Sequence, residues 1–450
     1  MAERENEPPR PVRPADFDSA IAEAVALHRD GRLAEAEARY LHILEGHPEH
    51  TGVLHNLGVV AAQGGEPAKA LAWFDKTLAL NPDYTRAYLN RASAHHELQR
   101  LEDAAADYRK FLAAEPDHHN ANLRLALVET ALGRRDSALA HFARTSEIRR
   151  AAATVTSISK LKLDHDIAQF RFLASAGDDA DRLSRLADDL TALRDGIDWP
   201  DDDGEPVVLT DAQSRTIAAI FARPINVTVA REIAGSSLHP SLDAADITRD
   251  YFRHTPGMAR VDDLLAPDAL QALRRYLLHS TIWYDFNHVR GFLAAYLEDG
   301  LACPLLLQIA ADLRMKFPGI FGTQPLTQAW AFKCVGGRHS VDVHMDAAAV
   351  SVNFWITPDV ANLDPDHGGL VLHDTPPPPE WRIAGYDQDI DAIREFLAPA
   401  GSARTIVRHR ENRAVIFDSN LFHQSDTVDF KPGHENHRIN ITLLFGQRGG

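Results

Sequence analysis

Apolar residues follow two different rhythms along this chain, a helical one over roughly the first two hundred residues and a two-residue alternation beyond about residue 256. In the first region the rhythm itself repeats. Pro48, Pro82 and Pro116 stand at equal spacing, and the same step carries Ala36 to Ala70, Ala104 and Ala138. It also carries Tyr40 to Phe74, Tyr108 and Phe142, and Ala24 to Gly58, Ala92 and Ala126. Small residues at two columns let paired helices approach closely, and an aromatic fills the space between one pair and the next. Proline then stops the second helix of each unit. The pattern predicts a solenoid of four helix–turn–helix units over 17–50, 51–84, 85–118 and 119–152. Arg150 stands where a fourth proline would, so the last unit runs on, and 153–175 and 181–197 read as helices that cover the final apolar face.

Past residue 256 the runs shorten. Residues 259–283 read as a strand and then a helix opened by Pro267. Strands follow at 328–335, 341–346, 350–356, 368–373, 402–409, 412–418 and 437–446, with one helix at 389–397. Short strands bounded by Gly, Pro, Asn and Asp favour a double-sheet jelly roll, with an immunoglobulin-like sandwich as the architectural rival. The expected fold class is therefore multidomain α + β, an all-α solenoid followed by a jelly roll with flanking helices. Its expected parts are a disordered 1–16, repeats over 17–150, a helical cap and acidic linker over 151–255, and a β-domain over 256–450. The linker DWPDDDGEP (198–206) reads as a solvated turn rather than a cation site, because its acids lack ligand spacing.

The columns of the first region, with Gly58 after Leu57, the A-x3-F/Y pairs and the closing prolines, resemble the tetratricopeptide repeat (TPR) family. The resemblance implies a groove that binds a peptide or protein segment. It does not say which side chains choose the ligand.

Composition narrows the classes. The chain has 450 residues, 45% hydrophobic and 25% charged, as ordinary folded proteins do. With 47 basic against 64 acidic residues the net charge is −17, which speaks against a chain-wide nucleic-acid or anionic-membrane footprint. The first residues hold no apolar run, so no signal peptide or membrane span is expected. Cys303 and Cys334 are too far apart for a CxxC pair and suit a reducing compartment, so cytoplasm is the expected location. The sequence leaves the oligomeric state open.

Of 23 histidines, His344 stands out through His344-Met345-Asp346. On an extended segment residues two apart share a face, so an imidazole and a carboxylate can reach one ion while Met345 points away. Frequency alone yields about three such pairs, and His28-Arg29-Asp30 and His409-Arg410-Glu411 also match. What distinguishes the first is its company, His423 just past a later strand and Arg438 beyond it. Two histidines and one carboxylate leave adjacent positions open on a six-coordinate ferrous ion. A 2-oxo acid can occupy two of these and dioxygen the third, provided a buried cation holds the acid's far carboxylate. Arginine suits that task through its planar fork and permanent charge. Arg438, Asn440, Thr442 and Leu444 share one strand face, so Asn440 is placed to assist.

This HxD…H…R order resembles the Fe(II)/2-oxoglutarate-dependent dioxygenase superfamily in its prolyl-hydroxylase-like form, over about 256–450. The resemblance implies that His344, Asp346 and His423 ligate Fe(II) and that Arg438 holds 2-oxoglutarate, with O2 as the second co-substrate. It also implies conversion of 2-oxoglutarate to succinate with hydroxylation of a C–H bond. Many relatives carry Ser where Asn440 stands here. A halogenase is disfavoured because chloride would need the position that Asp346 fills. His373, His434 and His437 are read as non-ligands, since a fourth protein ligand would close a position that oxygen needs.

The insertion 373–401, with Trp381 and Tyr386, reads as a lid or as packing over a sheet edge. Residues 280–300, with Trp283, Tyr284, Arg290 and Tyr296, are candidates for the substrate mouth. The expected function is hydroxylation of a peptide or protein side chain presented by the repeats. The alternatives are a small-molecule hydroxylase that uses the repeats for assembly, and a repeat scaffold with an inactive oxygenase domain.

Overall fold

The computed structural model describes residues 17–447 apart from 153, 178, 219, 222, 287–290, 337–340, 379–380, 382–389 and 399–403. The expected disordered segment 1–16, together with Arg290 and Tyr386, lies outside the described residues. The chain divides into two compact units, residues 1–141 and 142–450.

The first unit is a run of antiparallel helices, α1 (Phe17–Arg29), α2 (Leu33–Gly46), α3 (Thr51–Gln63), α4 (Pro67–Leu80), α5 (Thr85–Glu97), α6 (Leu101–Ala114) and α7 (His119–Ala131), followed by the start of α8 (Arg135–Ala152). The repeating columns are what holds it together. Ala24, Ala36, Ala70, Ala92, Ala104 and Ala126 are fully buried, as are Tyr40, Phe74 and Tyr108. At Gly58 the approach is closest, for a Cβ there would lie 2.4 Å from the Phe74 ring. Each buried aromatic contributes about 1.5–3 kcal/mol of transfer free energy, so the columns dominate the stability of the stack. Helix starts are capped from the sequence as well. The Nδ1 atoms of His50 and His118 accept hydrogen bonds from the backbone N–H groups of Val53 and Ala121, each at 3.1 Å.

The second unit continues with β1 (Ser157–Ser159), α9 (Lys160–Ala176), α10 (Ala180–Asp195), β2 (Pro206–Val208), α11 (Asp211–Ile217), α12 (Ala244–Arg253), β3 (Met258–Val261) and α13 (Pro267–His279). Then come β4 (Phe292–Tyr296), α14 (Pro304–Lys316), α15 (Pro318–Phe321), β5 (Leu326–Cys334), β6 (Val350–Trp355) and β7 (Leu370–His373). The chain closes with α16 (Ile390–Leu397), β8 (Arg404–Val407), β9 (Ala414–Asp418), β10 (His423–Ser425) and β11 (Arg438–Phe445). Pro267 and Pro304 open α13 and α14 at the position where a missing N–H goes unnoticed. Among the described residues no helix is long and apolar enough to cross a membrane.

A six-stranded sheet runs β3-β9-β6-β11-β5-β4 and a three-stranded one β10-β7-β8, both antiparallel. They face each other across a core of Met258, Trp355, Val415 and Phe417 from the large sheet and Leu370, Leu372 and Val407 from the small one. Directly opposed residues in antiparallel strands share a face. The register Arg438↔Cys334, Asn440↔Trp355, Thr442↔Asn353 and Leu444↔Ser351 therefore puts all eight side chains on the side of the large sheet that Trp355 presents to the small one. The opposite side is apolar along β11 and packs under helices, as where the Phe321 and Phe445 rings meet at 4.7 Å.

Three expectations change. Residues 341–346 form no ladder strand, only a single bridge between His344 and His423. Four short strands were not expected: β1 and β2, which pair with each other although β1 falls in the helix expected over 153–175, and β4 and β10, which pair with β5 and β7; all depend on partners far away in sequence. The acidic linker is more than a solvated turn, since the Asp203 carbonyl accepts from Leu161 and its carboxylate pairs with Lys160 at 3.2 Å, tying the linker to α9.

Candidate metal centre

His344 and His423 meet backbone to backbone. Each N–H donates to the other's carbonyl, at 3.0 and 2.9 Å, and this brings the two rings to 4.3 Å between centroids. Asp346 completes the group. The Nε2 of His344 is 3.8 Å from one Asp346 oxygen and the Nε2 of His423 is 3.5 Å from the other. Among the described residues this is the one group of three or more His, Cys, Asp or Glu side chains whose ligand atoms all lie within 4.8 Å of one another. Two ligand bonds of about 2.1 Å span at most about 4.2 Å, so both carboxylate–imidazole distances fit a shared ion.

The surroundings prepare these atoms as ligands. The Nδ1 of His344 lies 2.7 Å from the Asp342 carbonyl and the Nδ1 of His423 lies 3.0 Å from the Leu421 carbonyl. A carbonyl only accepts, so each Nδ1 carries the proton and each Nε2 keeps its lone pair for a metal. Burial first, then the neighbouring His344 ring, holds His423 down to about 4 against the pull of Asp346, so the imidazole is neutral. Ser351, on the inner face of β6, donates to Asp346 Oδ2 at 2.6 Å and contacts Ser419 at 2.8 Å, fixing the carboxylate. The side chains of Asp346 and His423 are 4% and 6% exposed against 32% for His344, so the open side of the group lies beyond His344.

Arg438 is 1% exposed, on the same face of the large sheet as Ser351. Its Nε donates to the Gly368 carbonyl at 2.6 Å, Nη2 to the Gly369 carbonyl at 3.0 Å and Nη1 to Asn440 Oδ1 at 2.9 Å. All three partners are neutral, and among the described residues Arg438 enters no ion pair within 4.0 Å. A guanidinium has five N–H groups, so two stay uncommitted. Burial lowers the group to about 10, leaving it charged at neutral pH. Asp426 acts on this buried cation only from beyond ion-pair distance, so its burial is costly and an incoming carboxylate would relieve it. Its neighbours are also underused. The Trp355 ring lies 5.8 Å from the Arg438 guanidinium carbon, and His409 lies 6.1 Å from Trp355. Trp355 Nε1 and both His409 nitrogens are buried without a hydrogen-bond partner.

Thus the structure brings His344, Asp346 and His423 together and sets Arg438 and Asn440 in hydrogen-bond contact on the same sheet face as Ser351. His434 is elsewhere, bonded to the Leu278 carbonyl at 3.0 Å and beside His165. Trp283 leaves the candidate mouth. It lies under Lys333, whose side chain points to the opposite side of β5 from Cys334 and Arg438. Tyr296 does sit on the inner face, with Phe292, Trp330 and Phe332. Sequence reasoning missed Ser351, Trp355 and His409, because their roles depend on strand register. It also missed the Gly368-Gly369 pair, although two adjacent glycines before a strand were a usable signal. At Gly369 a Cβ would lie 1.7 Å from the Val407 carbonyl, and Gly368 has φ +87°, so only glycine lets these carbonyls turn to Arg438.

A family model described as a tetratricopeptide repeat matches residues 21–85, 56–114 and 89–153. The chain is similar to protein FlbA of Caulobacter vibrioides, 37% identical over 98 residues, which is 22% of this chain and 16% of that protein. It is similar to the photosystem I assembly protein Ycf3 of Synechococcus elongatus, 34% identical over 96 residues, 19% of this chain and 56% of that protein. The match therefore spans a minor part of the first relative and about half of the second. Among solved structures it is similar to MamA of Desulfovibrio magneticus RS-1, with 16% identity and a TM-score of 0.29 over 41% of this chain and 97% of that one.

Proposed function

We propose that this protein, whose first third is made of tetratricopeptide repeats, is a non-haem Fe(II)/2-oxoglutarate-dependent dioxygenase that hydroxylates a peptide or protein side chain. The observation that carries the reading is the conjunction of a two-histidine, one-carboxylate group with a buried arginine, outside any ion pair among the described residues, on the same sheet interior. Each alone has a bland explanation. Together they match the two ends of a 2-oxo acid, one chelated by a metal and one held by a cation.

In this reading His344, Asp346 and His423 hold the ion, which supplies oxidising power from O2 as 2-oxoglutarate is converted to succinate. The protein's own residues do the rest. Asp342 and Leu421 carbonyls keep both imidazoles in the ligating tautomer, and Ser351 fixes the carboxylate. Arg438, with its two spare N–H groups, grips the far carboxylate of the oxo acid, with the Trp355 ring 5.8 Å from its guanidinium carbon. Phe292, Phe332 and the partly buried Trp330 and Tyr296 give the interior an apolar wall that excludes water. The facing antiparallel sheets support a double-stranded β-helix, or jelly roll, as the frame.

The repeats supply an extended surface suited to a protein segment, and hence the preference for a peptide substrate. The relative named for photosystem I assembly favours a second reading in which the repeats serve assembly. Anaerobic addition of Fe(II) and 2-oxoglutarate tests the site. Wild type is expected to develop the visible charge-transfer absorption of a chelated 2-oxo acid, and Asp346→Ala is not. Equal spectra from the two proteins would sink the proposal.

A further inference from the structure

Two of the three ligand residues lie on a segment that the sheets barely hold. Between Val341 and Asp346 the segment is tied to the sheets by the His344–His423 bridge and by the Ser425 N–H donating to the Val341 carbonyl at 3.2 Å, so no ladder fixes the pitch of Asp346. Ser351 holds its carboxylate, and the backbone that carries it needs support of another kind. The side chains flanking the ligands turn away from the metal side and enter one apolar cluster: Val343 and Met345 around His344, Met345 before Asp346, and Phe422 before His423. Facing them are Ile393 and Leu397 of α16, one helical turn apart and 0% and 8% exposed, with Trp381 and Phe396 closing the edge. The Phe422 ring lies 6.0 Å from Phe396 and 6.2 Å from Trp381, and those two are 5.2 Å apart. Arg394 adds an ion pair to Asp342 at 2.6 Å, the residue whose carbonyl orients His344. Both partners are more than half exposed, so the apolar contacts carry the weight.

We infer that one described part of the insertion, Trp381 with α16, is a brace. Through α16 it packs on the back of all three ligand residues and sets their spacing, with Ile393, Phe396, Leu397 and Trp381 as positioning residues. The inference rests on the metal-site reading above. Because coupling between sites is reciprocal, a brace that tightens metal binding must itself be tightened by the metal.

The test is titration with Mn(II) alone, free ion being read by electron paramagnetic resonance, on wild type and on Ile393→Ala, Ile393→Val and Leu273→Ala. Leu273, fully buried in α13, controls for a cavity of similar size away from the cluster. Ile393→Ala is expected to weaken Mn(II) about tenfold or more, the size typical of lost support behind metal ligands. Ile393→Val, which folds even if the alanine variant does not, should lie between it and wild type. Leu273→Ala should lower the melting temperature without moving the Mn(II) affinity. Hydrogen exchange of the α16 amides in wild type should slow when Mn(II) is added. Wild-type affinity in the Ile393 variants, an equal loss in Leu273→Ala, or unaltered exchange overturns the brace and leaves the metal site standing. No Mn(II) uptake by wild type, or uptake unaffected by His344→Ala, overturns the metal-site reading and the brace with it.

Discussion

Replacing Arg438 by methionine removes the charge while keeping much of the side-chain volume. In wild type, a carboxylate docking on the two spare N–H groups gains two charge-assisted hydrogen bonds, each about 1.5–3 kcal/mol. Losing both weakens 2-oxoglutarate by at least about 100-fold. In a thermal melt with Mn(II) present and 2-oxoglutarate at about 100 times the wild-type Kd, ligand stabilisation is about 2.7 kcal/mol, and at a Kd equal to the ligand concentration it falls to about 0.4 kcal/mol. At roughly 2 °C per kcal/mol for a domain of this size, wild type should shift by about 5 °C and Arg438→Met by about 1 °C. Without ligand, two effects oppose each other. The Gly368 and Gly369 carbonyls lose their donor, at about 1–3 kcal/mol each, while the cost of burying a charge that has no carboxylate at ion-pair distance disappears. The ligand-free melting temperatures should therefore lie close together, which isolates the binding term. A full 5 °C shift in Arg438→Met would refute the assignment of Arg438 as the carboxylate anchor.

Ser351→Ala, which deprives Asp346 of its 2.6 Å donor, should weaken Mn(II) by about 10-fold to 100-fold in the same resonance titration. Gly58→Ala drives a methyl to within 2.4 Å of the Phe74 ring and should destabilise the repeats by about 1–3 kcal/mol in urea unfolding, an effect absent from Gly65→Ala in spatial terms because nothing lies within 4 Å there. His409 and His437 are both pushed down to about 3, by burial first and then by Arg438 and Lys333 respectively. The unfolded chain protonates these rings near their ordinary value of 6.5 and the folded one does not. Their stabilisation is therefore complete above pH 6.5 and falls as pH drops towards 3, by about 1.4 kcal/mol per unit for each ring. Urea midpoints at pH 7 and 5 should show the decline, and His409→Gln should flatten it; an unchanged slope would contradict the role given to His409.

What could be read from the sequence was whatever repeats or is local. The alanine, aromatic and proline columns recur four, four and three times, and packing then had little choice about where Tyr40, Phe74 and Tyr108 went. His344 and Asp346 were visible because a two-residue spacing suffices to aim both at one point, and His423 and Arg438 because they follow in order on the later strands. Register was not visible. Ser351 reaches Asp346 and Trp355 sits opposite Asn440 only because β6 and β11 pair as they do, across more than eighty residues. The same holds for β4 and β10, three to five residues long, whose existence depends on partners far away in the chain. The expected strand at 341–346 dissolved for a related reason. Its alternating pattern is satisfied by α16 on one side and the ligand group on the other, without a ladder.

The central claim is most directly tested by turnover in the absence of any substrate. Purified protein with Fe(II), ascorbate, O2 and 2-oxoglutarate should form succinate slowly, and His344→Ala and Asp346→Ala, folded by circular dichroism, should form none above the metal-only background. Succinate at equal rates from wild type and both variants, or none from an iron-loaded wild type, would contradict the account.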